Sequence, residues 1–210
     1  MRAIKIPSLL LAVILSIPVL GLSACNNTKD TEAGRSGRAV TSGTADIGGP
    51  FELIDQDGAV VTETSLLGKP HMVYFGFTFC PDICPTALQK MGAAQDLLGA
   101  QGDDIGYVLT SIDPERDTPD ALKQYITASV FPTGLRGYTG SLDQIEVAKK
   151  AYKVYATKAE LEGSAGDYTV DHSDIIYFMD KDGKFVDYFI SRTTPKDMAV
   201  RIRYHLKTGK

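Results

Sequence analysis

The chain has 210 residues, 43% of them hydrophobic and 23% charged, with 22 basic and 26 acidic side chains. That length suits one domain with appendages, and the hydrophobic share is ordinary for a folded core. The net charge of −4 comes with no basic patch and no acidic block, which argues against a nucleic-acid-binding surface and against a charged tail.

The chain opens with "MRAIKIPSLLLAVILSIPVLGLSAC". Arg2 and Lys5 form a positive start, an apolar run follows from Ile6 to Leu22, and small residues lead to Cys25. This is the layout of an export signal. The ending Leu22-Ser23-Ala24-Cys25 resembles the bacterial lipobox, which implies lipidation of Cys25, cleavage before it, and a protein anchored on the periplasmic side of the cell membrane. The alternative is an uncleaved anchor, for which the run is short and holds Pro7 and Pro18. Either way the domain lies outside the cytoplasm, where thiols can form disulfides. The expected organisation is a signal over 1–24, a lipid-anchored tether over 25–48 and one folded domain over 49–210. The tether is rich in Asn, Thr, Gly and Ser and too poor in large apolar groups to order itself. It would span about 25 Å as a random coil.

From Pro50 onward the pattern alternates. "FELIDQDGAVVTE" predicts two short strands about an Asp-Gly turn. "HMVYFGFTF" is a continuous apolar run, as in a strand buried on both faces. "TALQKMGAAQDLLG" predicts a helix with Ala87, Met91, Ala94 and Leu98 on one face, ended by Gly99. "DIGYVLTSID" is another buried strand. "TPDALKQYI" is a helix capped by Thr118 with Pro119 at its first position. "LRGYTG" is a short strand, and "SLDQIEVAKKAY" a helix capped by Ser141 with Leu142, Ile145 and Ala148 on one side. "DIIYFMDKDGKFVDYFI" is a hairpin turned at Asp182-Gly183, and "TTPKDMAVRIRYHL" a last helix capped by Thr194. This order predicts an α/β fold with a central mixed sheet flanked by helices and an N-terminal β-hairpin. A cysteine pair at the end of the first buried strand, just before a helix, marks the thioredoxin-like arrangement.

Those cysteines are Cys80 and Cys84, in "FGFTFCPDICPTAL". Each precedes a proline, which pushes both away from helical geometry. The expectation is a tight loop with the helix starting at Pro85 and Cys84 near its N-cap, where the positive end of the helix favours Cys84 as the thiolate. Three readings compete. A staple disulfide across so short a loop restrains the unfolded chain little. A redox couple is the second. The third is a metal site for a soft ion such as Cu(I), since two thiolates are too few for structural zinc.

A two-thiolate site calls for a further donor, and the chain has three histidines. His71 opens a buried strand and His205 sits in the last turn of the final helix, where a cation complements the dipole. His172 lies in "YTVDHSDIIYFMD", in the loop entering the late hairpin, which a thioredoxin-like sheet places beside the cysteines. Asp171 and Asp174 flank it and are candidates to orient the imidazole. Asp113, Arg116 and Asp117 in "DPERD" end a buried strand, where they either serve a site or brace the turn. Met72, Met91, Met179 and Met198 read as core packing, and Phe77 and Phe79 as shields against water.

Together "YFGFTFCPDICPTAL", "SIDPERDTPDAL" and "VDHSDIIYFMDKDGKFVDYF", in this order and spacing, resemble the Sco/SenC family of copper-binding assembly proteins from about Phe51 onward. The resemblance implies a thioredoxin-like fold, and it implies that Cys80, Cys84 and His172 hold Cu(I) or Cu(II). It also implies a part in assembling the binuclear copper centre on subunit II of cytochrome c oxidase, with another periplasmic copper chaperone or a thiol reductant as further partners. Members of the family also act as thiol-disulfide reductants on that subunit's cysteines, through the same pair, or in redox signalling. Thioredoxin-like reductases carry a cis-proline opposite their cysteines; here Asp174 falls at that place, which weakens the general-reductase reading.

Overall fold

The computed structural model describes residues 46–160 and 168–209. The signal segment, Cys25 and most of the tether lie outside the described residues. The first hairpin pairs β1 (Glu52–Asp55) with β2 (Val60–Thr62). The buried strand β3 (His71–Gly76) leads through the cysteine loop into α1 (Ile83–Leu98). A one-turn helix, α2 (Ala100–Asp103), precedes β4 (Gly106–Ser111). Then come α3 (Pro119–Tyr125), β5 (Leu135–Thr139) and α4 (Leu142–Tyr152). A second hairpin of β6 (Ala156–Glu160) and β7 (Tyr168–His172) follows. The chain finishes with β8 (Ile175–Met179), β9 (Phe185–Ile190) and α5 (Pro195–Thr208).

Seven strands form one mixed sheet in the order β2-β1-β5-β4-β3-β8-β9. β3, β4 and β5 are parallel; β1 on one side and β8 on the other join antiparallel. The N-terminal hairpin thus extends the sheet at one edge, and the β8–β9 hairpin forms the other. Helices cover both faces, as strand alternation requires. All six residues of β3 are buried. Tyr74 and Gly76 point toward Cys84 of α1, whereas the Phe75 ring meets Tyr152 of α4 at 5.2 Å. The helix caps fall where the sequence places them. Thr118, Ser141 and Thr194 each accept an amide hydrogen from the first turn, and Gly99 closes α1 with a positive φ. The four core-like methionines are all buried.

Four expectations need correction. α1 begins at Ile83, two residues before Pro85, so Cys84 is helical. A proline in the first turn gives up an amide that has no partner within the helix anyway, so the steric preference against a helical residue before it is overridden there. Leu142 is 54% exposed; the buried face of α4 is Ile145, Ala148 and Tyr152. His172 is the last residue of a strand rather than part of a loop. That strand belongs to a separate two-stranded sheet, β6–β7, which the sequence pattern does not predict.

Candidate metal centre

The site lies where the carboxyl end of β3 meets the start of α1 and the end of β7. Cys80 sits in the loop after β3, Cys84 in the first turn of α1, and His172 pairs with Ala156 at the base of the hairpin. The two sulfurs and an imidazole nitrogen all lie within 4.8 Å of one another. Cys84 Sγ is 3.5 Å from His172 Nε2, and the Cys84 amide donates to Cys80 Sγ over 3.3 Å. Both cysteines are free thiols.

The thiols are not equivalent. Hydrogen bonding from the Cys84 thiol, helped by His172 and by the Cys84 and Asp82 amides, outweighs burial and brings Cys80 down to about 4. Cys84 is pushed well up, first by that same bond to the Cys80 thiolate and then by burial. The expected thiolate at Cys84 is therefore reversed. Amides at the start of α1 point out toward Cys80, while the Cys84 side chain turns inward and is fully buried. Cys80, half-buried in its loop, is the accessible sulfur.

His172 Nδ1 is 3.0 Å from the Ser173 carbonyl, which can only accept. Nδ1 therefore carries a hydrogen, and Nε2 is the ring nitrogen that faces the sulfurs. This carbonyl does the orienting expected of Asp171 and Asp174. Asp171 is exposed, and Asp174 receives the Tyr74 hydroxyl at 3.4 Å. The ring is further fixed between two buried aromatics, edge-on to Phe77 at 5.9 Å and to Tyr74 at 6.1 Å. Phe77 does shield the site, but Phe79 is 60% exposed and stacks on the Arg116 guanidinium.

The "DPERD" segment braces the turn. Buried Asp117 accepts the Thr78 amide at 3.2 Å, the Thr78 hydroxyl at 2.6 Å and the Ser111 hydroxyl at 2.6 Å. It ties the cysteine loop to the end of β4. Gly76 allows α1 to approach, since a Cβ there would lie 2.8 Å from the Tyr74 ring and 3.0 Å from Cys84 Sγ. His71 and His205 take no part: His71 is buried against the Lys69 carbonyl, and His205 bonds Asp187 at 3.0 Å. Tyr74, Thr78, Tyr168 and Ser173 join the site without having been marked in the sequence. Only Tyr74 carried a signal, as the residue two before Gly76 on the same strand face.

Two sulfurs and one imidazole nitrogen within 4.8 Å of one another form a soft donor set suited to Cu(I). Known proteins carry the same frame. The SCO1/SenC family model matches residues 39–207. Protein sco1 of Schizosaccharomyces pombe is 37% identical over 210 residues, covering 99% of this chain and 79% of that protein. The copper-bound structure of Bradyrhizobium japonicum ScoI is 42% identical and superposes with a TM-score of 0.67, over 75% of this chain and 98% of that one. BsSco, described as a member of the Sco family of cytochrome c oxidase assembly proteins with a disulfide switch, is 29% identical with a TM-score of 0.61, over 80% and 97%. With the thioredoxin-like sheet, the cysteine loop at the end of its first buried strand and a match along most of the chain, this protein belongs to the SCO1/SenC family.

Proposed function

We propose that this protein is a copper metallochaperone that carries one copper ion on Cys80, Cys84 and His172. Its acceptor is the binuclear copper centre of cytochrome c oxidase subunit II. The convergence of the three donor atoms within 4.8 Å carries this reading. The copper-bound relative and the oxidase-assembly description of BsSco support it. Copper is the cargo. Three protein donors leave it open to incoming ligands, so it passes to an acceptor by stepwise ligand exchange. Closing a Cys80–Cys84 disulfide withdraws both sulfur donors, so thiol redox state gates loading. Cys25 as a lipid anchor and the periplasmic face of the membrane as the location belong to the same proposal.

A second reading rests on the thiol asymmetry. A low-lying, accessible Cys80 and a buried, protonated Cys84 are the pattern of an attacking and a resolving cysteine. Cys80 would attack a partner disulfide and release one partner thiolate. Cys84 would then attack Cys80, closing the internal disulfide and releasing the second thiolate, which takes the Cys84 proton. Anaerobic Cu(I) titration of the reduced protein beside His172→Ala separates the two. One copper per chain, bound about ten- to a hundredfold more weakly without His172, is expected of the carrier. Weak binding indifferent to His172, together with rapid reduction of a partner disulfide, overturns it in favour of the oxidoreductase.

A further inference from the structure

His172 is delivered by a hairpin that stands apart from the main sheet. A two-stranded sheet alone is marginal in water. This one has little burial to hold it: β6 is mostly exposed, and in β7 Val170 is the one fully buried side chain. Yet the imidazole must meet the thiols closely, so something must fix the hairpin to the cysteine loop.

Arg116 occupies that junction. Its guanidinium carbon lies 3.8 Å from the ring centre of Tyr168, 4.8 Å from that of Phe79 and 5.7 Å from that of Phe77. Phe77 and Phe79 belong to the cysteine loop, and Tyr168 opens the strand that ends in His172. Nη1 also donates to the Tyr168 carbonyl at 3.0 Å. Nε pairs with the buried carboxylate of Asp113, whose other oxygen receives the Tyr168 hydroxyl at 2.7 Å. Asp113 is tied through its amide to Ser111, and Ser111 to Asp117, which holds Thr78. The turn at 113–117 thus grips the loop through Asp117 and the hairpin through Arg116. A planar fork that stacks and donates in several directions suits this place; an ammonium does not. The neighbouring Lys158–Glu115 pair is exposed and contributes little.

We propose that Arg116 is a positioning residue of the metal centre, a latch that ties the His172-bearing hairpin to the cysteine loop and presets the imidazole before the ion arrives. The latch rests on the copper reading for its cargo, but it exists in the metal-free protein. Presetting a donor removes the cost of ordering it on binding.

The test is a double-variant cycle on the full, reduced protein, with Cu(I) affinity read by competition against a chromophoric chelator. Arg116→Ala is expected to weaken binding about tenfold, and Arg116→Lys to restore little of it. On a His172→Ala background, removing Arg116 is expected to change affinity less than twofold. An equal loss on both backgrounds overturns the latch, since Arg116 would then act on the whole fold. Amide exchange of residues 168–172 in the metal-free protein is the second readout. It is expected to quicken about tenfold in Arg116→Ala relative to β8, and less in Tyr168→Phe, which removes only the bond to Asp113. Unchanged exchange in both variants overturns the proposal. A loosened hairpin in a protein that binds no copper upholds the latch and refutes the copper reading.

Discussion

Replacing Asp117 by alanine tests whether the cysteine loop is held from beneath. The carboxylate is fully buried and accepts the Thr78 amide, the Thr78 hydroxyl and the Ser111 hydroxyl. In Asp117→Ala the two hydroxyls can rotate toward other acceptors, but the Thr78 amide cannot. A stranded buried donor costs about 1–3 kcal/mol, and each bond to a charged group is worth about 1.5–3 kcal/mol net. Burial already raises this carboxyl above its ordinary range, so part of that gain is spent on desolvation. The net expected loss is about 3 kcal/mol, or roughly 6–12 °C in Tm for a domain of this size. Asp117→Asn keeps an acceptor for the amide and is expected to cost about 1 kcal/mol. The folded value lies above the unfolded one. What Asp117 contributes is therefore greatest below the ordinary carboxyl value of 3.8 and declines as pH rises through the folded value, so the gap between wild type and Asp117→Asn narrows from acid to neutral pH. Urea unfolding of the reduced protein with each variant, at acid and neutral pH, measures all three. An alanine variant within about 0.5 kcal/mol of wild type, the size of an ordinary surface change, would refute the reasoning.

Three further outcomes are expected. Iodoacetamide should modify Cys80 far faster than Cys84, with a rate already level at neutral pH and falling through about 4; a rate that climbs only toward pH 9.0 would show an ordinary thiol. Because the folded value is depressed, the stability this thiolate adds is complete above the unfolded value and is lost as pH falls through about 4. Gly76→Ala drives a methyl against the buried Tyr74 ring and Cys84 Sγ, so urea unfolding should show a loss of about 1–3 kcal/mol along with weaker copper binding; an unchanged urea midpoint would mean that the ring moves freely. His71, lowered by burial, adds stability above the ordinary 6.5 that is lost as pH falls below it; the difference between wild type and His71→Asn in urea midpoint should shrink from pH 7.5 to about 5, and a constant difference would oppose this.

The seven-stranded sheet was legible because its central strands are apolar runs and α3, α4 and α5 carry capping residues that act locally. Cys80, Cys84 and His172 were legible as residue types, since few side chains do soft-metal chemistry. The β6–β7 hairpin was not. "ATKAE" and "YTVDH" bury too few side chains to print an alternating pattern, and their attachment depends on Arg116, 52 residues from Tyr168 in sequence. The direction of the thiol asymmetry was also hidden. A helix start favours whichever sulfur its amides face, and with α1 beginning at Ile83 that sulfur is the one before the helix. The orienting partner of His172 was a backbone carbonyl, which every residue possesses and no sequence marks.

The central claim is that Cys80, Cys84 and His172 together hold the cargo. X-ray absorption at the copper edge on the reduced, Cu(I)-loaded protein tests it most directly, with His172→Ala beside it. Two sulfur scatterers and one imidazole per copper, with the imidazole signal lost in the variant, are expected. A copper shell without sulfur, or an imidazole signal that survives removal of His172, would contradict the claim.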